Sequence, residues 1–191
     1  MLITISGVPG SGKTTVAKLL AARLGLPHVY AGDLYRQEAK RRGLTLEAFN
    51  AECERDHSID RKLDADMAAR ARQGNVVLEG RLAGYLAAEG RLDALKVWLD
   101  ASDEVRARRV ATREGTDWRA VLEENRTRHG SDANRYKAIY GYDLSDTGVY
   151  DLVLSTDART PEALVDELVA AARARFDGAA ASPGRVPGAG T

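Results

Sequence analysis

Gly7-Val8-Pro9-Gly10-Ser11-Gly12-Lys13-Thr14-Thr15 follows directly on the apolar, β-branched run Leu2-Ile3-Thr4-Ile5-Ser6. The spacing from Gly7 to Gly12-Lys13-Thr14 satisfies G-x-x-x-x-G-K-[ST] at every fixed position. It also lies in the strand–loop–helix context that this pattern requires. Glycines let successive backbone N–H groups turn inward around a phosphate without Cβ clashes, and the helix that follows points its positive end at the same place. Lys13 then reaches the outer phosphates of a nucleoside triphosphate, and the Thr14 hydroxyl is a ligand for Mg²⁺. The cradle as read comprises Gly7, Pro9, Gly10, Ser11, Gly12, Lys13, Thr14 and Thr15.

Four further sets could act on what the cradle holds. Gly32-Asp33-Leu34-Tyr35-Arg36 begins at the end of a short second strand, where ligands of open α/β sheets bind, so Arg36 is placed to clamp a second phosphate. The plainer alternative is an exposed helix residue. Glu79-Gly80-Arg81 ends a third strand at the same edge: Glu79 suits a water on Mg²⁺ or a simple capping role, and Arg81 suits an acceptor phosphate. Arg109 and Arg113, spaced i, i+4, share a helix face and repel unless an anion or the acids Asp103 and Glu104 meet them. Arg128, Asp132 and Arg135 share another face, as an ion network or as a site for phosphate and a polar base or sugar. His28, His57 and His129 lack metal-ligand spacing and read as surface or packing residues, and Tyr136, Tyr140 and Tyr142 as packing. No His or Asp stands out as a general base. A phosphate-monoester acceptor is already ionised near neutral pH and needs positioning and charge neutralisation instead. The guanine signature Asn-Lys-x-Asp does not occur, which disfavours a GTPase.

The elements that must position these residues alternate between strand and helix. Strands are expected at 2–6, 28–30, 75–80, 95–99 and 150–154, and helices at about 16–24, 34–42, 45–55, 58–73, from 102 to 114, and from 161 to 176. Asp33 is the cap or the first-turn acid of its helix. Such alternation predicts a five-stranded parallel sheet with right-handed crossovers. Residues 117–140 are polar, helical in tendency and weak in apolar periodicity, which reads as a mobile lid over about 114–142. A helical arm covers about 32–73. One domain spans 1–176, and the Ala/Gly/Ser/Pro-rich tail 177–191 lacks the apolar content to fold.

With 191 residues the chain can bury a sizeable core. Lys+Arg and Asp+Glu both total 28, so net charge gives no argument for nucleic acid or membrane. Arg nevertheless supplies 22 of the 28 basic residues, and eight lie between Arg106 and Arg135, the always-charged fork suited to polyphosphate. Cys53 is the lone cysteine, so no intrachain disulfide forms, and neither a signal peptide nor a membrane span is expected. The expectation is a cytoplasmic monomer.

Together Gly7–Thr15, Gly32-x-x-Tyr35-Arg36, Glu79-Gly80-Arg81, Arg109-x-x-x-Arg113 and Arg128-x-x-x-Asp132-x-x-Arg135-Tyr136 with Tyr140-Gly141 resemble the cytidylate kinases. The stretch Val76–Arg81 and the short chain are most similar to the archaeal-type branch of these P-loop nucleoside-monophosphate kinases. Ala31 and Leu82 stand where the bacterial branch has a serine and an acid. The resemblance covers residues 1–176. It implies ATP and Mg²⁺ as cofactors and CMP or dCMP as acceptor. It also implies acceptor contacts from Gly32, Tyr35, Arg36, Gly80, Arg81, Arg128, Asp132 and Arg135, with Lys13, Arg109, Arg113 and Arg128 meeting charge on the transferring group. Open alternatives are an AMP or UMP acceptor and a regulatory P-loop ATPase or nucleotide switch whose arginines serve a partner.

Overall fold

Strands β1 (Leu2–Gly7), β2 (His28–Tyr30), β3 (Val76–Glu79), β4 (Leu95–Asp100) and β5 (Leu152–Ser155) form one parallel sheet in the order β2-β3-β1-β4-β5. The computed structural model describes residues 1–180. Its helices are α1 (Lys13–Leu24), α2 (Ala31–Arg41), α3 (Leu46–Arg55), α4 (His57–Gln73), α5 (Ala83–Glu89), α6 (Asp103–Glu114), α7 (Trp118–Tyr140) and α8 (Pro161–Ala180).

β1 and β3 are buried along their whole length, as strands covered on both faces must be, and this is why they read as continuous apolar runs. Alternate residues serve the two faces. Ile3, Ile5, Val77, Val97 and Leu99 pack against Val16 and Leu20 of α1 and Leu164 and Leu168 of α8. Leu2, Val76, Leu78 and Trp98 pack against Met67 and Ala71 of α4, Tyr85 and Leu86 of α5, and Tyr150. Two smaller cores lie outside these layers. Ala39, Phe49, Cys53 and Ile59 give α2, α3 and α4 a core of their own, and Ala107, Ala111 and Val121 join α6 to α7.

Three elements differ from the sequence expectation. α5 was not foreseen: five of its seven residues are buried, so it has no polar face to reveal a helical period. α2 begins at Ala31, with Tyr30 at the N-cap, so Asp33 is the first-turn acid and not the cap. α8 continues to Ala180, four residues into the expected tail, and the remainder of that tail, 181–191, lies outside the described residues. The expected lid is dominated by α7, a single 23-residue helix that ends at Tyr140 and is capped by Gly141.

Candidate active site

Chain reversal in sheet order on either side of β1 opens a crevice beyond the carboxyl ends of the strands. A cleft of about 620 Å³ fills it, running from α6, α7 and Thr156 past the Gly-rich loop to α3 and α4.

The loop conformation requires its glycines. Gly7 has φ +144°, and a Cβ there would lie 2.0 Å from the Leu99 carbonyl oxygen. Gly10, at φ +80°, would press a Cβ to within 2.9 Å of the Arg106 carbonyl oxygen. The loop is held from outside. Arg106, 7 % exposed, donates through Nη1 to the Pro9 carbonyl at 3.2 Å and through Nε to Ala101 at 3.1 Å. Thr156 Oγ1 donates to the Ser11 carbonyl at 3.0 Å and accepts from Arg109 Nη1 at 2.8 Å, while Arg109 Nη2 donates to the Thr156 carbonyl at 2.7 Å.

Lys13 Nζ donates to the Val8 carbonyl at 2.6 Å. Burial first, and then the positive field of Arg81 with that of Arg128 and Arg106, pushes its ammonium down to about 7, against an opposing pull from Glu79. A partly buried lysine ringed by arginines is an excess of cationic charge that a polyphosphate would relieve.

Glu79 is fully buried at the end of β3, in register with Ile5 of β1 and Tyr30 of β2. Its Oε1 accepts from Thr14 Oγ1 at 2.6 Å, and its Oε2 lies 2.9 Å from His28 Nε2. Hydroxyl and carboxylate oxygen are hard donors placed side by side, a set that fits Mg²⁺, with the remaining positions left to nucleotide phosphate and water. Among the described residues no group of three or more His, Cys, Asp or Glu side chains could hold a metal ion.

On the other flank Arg81 pairs with Asp132 Oδ2, Arg135 Nη2 lies 3.0 Å from Asp132 Oδ1, and Arg135 Nε lies 3.1 Å from Asp60 Oδ2. The cluster ties α4, the end of β3 and α7 together inside the cleft. Arg36 lines the same cleft, paired with Asp33 at 2.6 Å and lying 5.0 Å from the centre of the Tyr30 ring. Gly32 and Gly80 serve close packing: a Cβ on Gly32 would meet the Tyr30 ring at 2.4 Å, and one on Gly80 would meet Ala31 Cβ at 3.0 Å. Tyr35 reaches Asn50 through its hydroxyl.

The expected residues therefore converge, with qualifications for three arginines. Arg109 lines the cleft but spends its guanidinium on Thr156. Arg113 lies at the cleft rim paired with Glu114, its side chain 70 % exposed. Arg128 lines the cleft and, among the described residues, has no ion-pair partner.

Several residues of the site were missed from sequence. His28 was read as a surface or packing residue, yet it partners the buried Glu79; the contact spans 51 positions and leaves no local trace. Arg106 and Thr156, which brace the loop, are likewise joined to it only by the fold. Asn50, Asp60 and Asp64 line the arm side of the cleft, and the i, i+4 pair of acids on α4 was a signal of the same kind as Arg109 and Arg113.

Comparison with known proteins gives a consistent result. The model of the cytidylate kinase-like family matches residues 2–158. A cytidylate kinase of Methanopyrus kandleri is 47 % identical over 164 residues, covering 82 % of this chain and 84 % of that protein. One of Haloquadratum walsbyi is 44 % identical over 188 residues, 98 % of this chain and 96 % of the relative. Among solved structures, an uncharacterized protein from Eubacterium ventriosum superposes with TM-score 0.71 at 19 % identity, over 92 % of this chain and 99 % of that one. A gluconokinase from Sinorhizobium meliloti gives TM-score 0.62 at 19 % identity, over 95 % and 97 %. These likenesses in structure show the fold.

Proposed function

The chain belongs to the cytidylate kinase-like family, and from that premise we propose that it transfers the γ-phosphoryl group of ATP to CMP or dCMP, giving ADP and CDP or dCDP. The observation that carries the reading is that one cleft is lined both by the phosphate loop with Lys13 and by a second set of cations, Arg36, Arg81 and Arg135.

ATP lies with its β- and γ-phosphates on the loop N–H groups and its base toward Thr156 and Arg159. The acceptor phosphate lies against Arg36 and Arg81. Lys13 bridges the two and neutralises charge as the γ-phosphoryl group loosens. Thr14 and Glu79 are the residues that would hold Mg²⁺, Glu79 through water; bound there, the ion supplies charge neutralisation on the donor phosphates. Arg128 and Arg113 approach the transferring group from α7 and α6, with Arg109 held by Thr156 on the donor side. The acceptor phosphate attacks as the ionised monoester, so no side chain need remove a proton. An arm over about 32–73 and a lid over about 114–142 close around the two substrates, excluding water from the donor.

No helix among the described residues is long and apolar enough to cross a membrane. A cytoplasmic monomer acting on free nucleotides is the accompanying reading. The test is coupled ADP release measured with ATP and Mg²⁺ alone and then with CMP, dCMP, UMP or AMP added. Turnover dependent on CMP and dCMP supports the reading. Turnover independent of any monophosphate would overturn it.

A further inference from the structure

We propose that Asp60 and Asp64 of α4, with Asn50 of α3, read the base of the acceptor: the carboxylates accept from the exocyclic amino group of cytosine and the Asn50 amide donates to its N3, so that CMP is ranked above UMP. The proposal rests on the acceptor reading above and assigns base-reading residues within it.

The arm side of the cleft is lined by apolar and polar side chains together. Leu46, Leu63 and Met67 line it beside Asn50, Asp60 and Asp64. Leu46 keeps 48 % of its surface exposed, a large aliphatic group for which a flat base is a suitable cover. Asp60 is only 4 % exposed; its sealed Oδ2 is ion-paired with Arg135 Nε at 3.1 Å, and among the described residues its Oδ1 has no partner. A buried carboxylate with unused acceptor capacity is costly in the free protein and calls for a donor. Asp64 Oδ2 accepts from Tyr140 at 2.8 Å, and among the described residues its Oδ1 has no partner. Asn50 Oδ1 accepts from the Tyr35 hydroxyl, which fixes the amide so that its NH₂ is the free end.

This inventory of two acceptors and one donor is complementary to cytosine. Cytosine presents the N4 amino donor next to the N3 acceptor. Uracil presents O4 and N3–H in those places, setting carbonyl against carboxylate and donor against donor. Burial, with Asp60 adding to it, drives the Asp64 carboxyl up to about 7, which agrees with a pair of acids short of donors in the free protein.

The test compares wild type with Asp64→Asn, which keeps an oxygen for Tyr140 and presents an amide donor where Oδ1 stood. Steady-state kinetics with CMP, dCMP and UMP at saturating ATP are read beside calorimetric binding of CMP and UMP without ATP. Asp64→Asn should lower the CMP:UMP ratio of kcat/KM by about tenfold or more, chiefly through the acceptor KM, with the ATP KM unchanged. Asn50→Ala, on a different helix, should weaken CMP binding more than UMP binding and supplies the readout should Asp64→Asn fail to fold. If both variants fold and keep the wild-type ratio, the base is read elsewhere and the proposal falls. If wild type turns over AMP but no pyrimidine monophosphate, the acceptor reading falls, and this assignment with it.

Discussion

Thr14 Oγ1 donates to Glu79 Oε1 at 2.6 Å, joining the first turn of α1 to the last residue of β3. Glu79 is fully buried, so its carboxylate depends on that hydroxyl and on His28 for hydrogen bonds. Removing one partner of a buried charge costs about 1–3 kcal/mol or more in the group left unmet. The strand register makes the placement exact in space: Glu79 stands between Ile5 of β1 and Tyr30 of β2, directly under the loop that β1 feeds.

Thr14→Ala should therefore raise the Mg²⁺ concentration needed for half-maximal turnover and lower kcat by roughly ten- to a hundredfold. It should also cost about 1 kcal/mol of stability, because Glu79 loses a donor. Mg²⁺ titrations of turnover, read beside melting temperature, check it. An unchanged Mg²⁺ requirement would remove Thr14 and Glu79 from the metal site.

Lys13→Met should fold and lose roughly two or more orders of magnitude in turnover, since charge between the β- and γ-phosphates is then unmet. Its melting temperature should be no lower than that of wild type, because the ammonium sits among Arg81, Arg128 and Arg106 and is pushed down to about 7 there. Near-normal kcat in the folded variant would defeat the assignment of the phosphate loop.

All five strands were legible in the sequence, four of them as short apolar runs ending in polar or glycine punctuation and β2 as the three residues His28-Val29-Tyr30, and the loop was legible because its chemistry is local in the chain. What the chain conceals is contact at long range. Glu79 and Arg81 were visible as candidates, but the partners that define their roles come from His28, 51 positions earlier, and Asp132 on α7. α5 was hidden by its own burial, since Ala83 to Ala87 are all inside and no polar face sets a period. The base-side residues were hidden for another reason: Asp60 and Asp64 look like an ordinary solvated helix face until α4 is laid against Arg135 and Tyr140.

Asp64 also gives a pH dependence with a definite sign. Burial holds its carboxyl up near 7, against an ordinary aspartate value of 3.8. Between those values the folded protein keeps a proton that the unfolded chain has released, so stability falls as pH rises through that window and is level in this respect above it. Wild type should accordingly lose a few degrees more in melting temperature than Asp64→Asn on going from pH 5 to pH 8. Parallel pH profiles for the two proteins would show that Asp64 titrates as an ordinary surface acid.

Arg36 and Arg113 should fail in different ways. Arg36 lines the arm side of the cleft from the first turns of α2, held over Tyr30 by Asp33. A guanidinium placed there contacts the monophosphate in ground and transition state alike, so Arg36→Ala should raise the CMP KM by about tenfold or more and leave kcat within a fewfold. Arg113 lies at the rim on the last turn of α6, paired with Glu114 and largely exposed; on the proposed reading it reaches the transferring group only on closure of the cleft. An interaction made late lowers the barrier without binding the ground state, so Arg113→Ala should cut kcat by up to roughly a thousandfold with little change in either KM. Lysine should rescue each only in part, because an ammonium cannot reproduce the two-pronged fork of guanidinium on phosphate. Varying ATP and CMP independently separates the two outcomes. If Arg113→Ala altered the CMP KM alone while Arg36→Ala cut kcat alone, the two roles would be exchanged. If neither variant departed from wild type, the acceptor phosphate would have to lie elsewhere than between α2 and the phosphate loop.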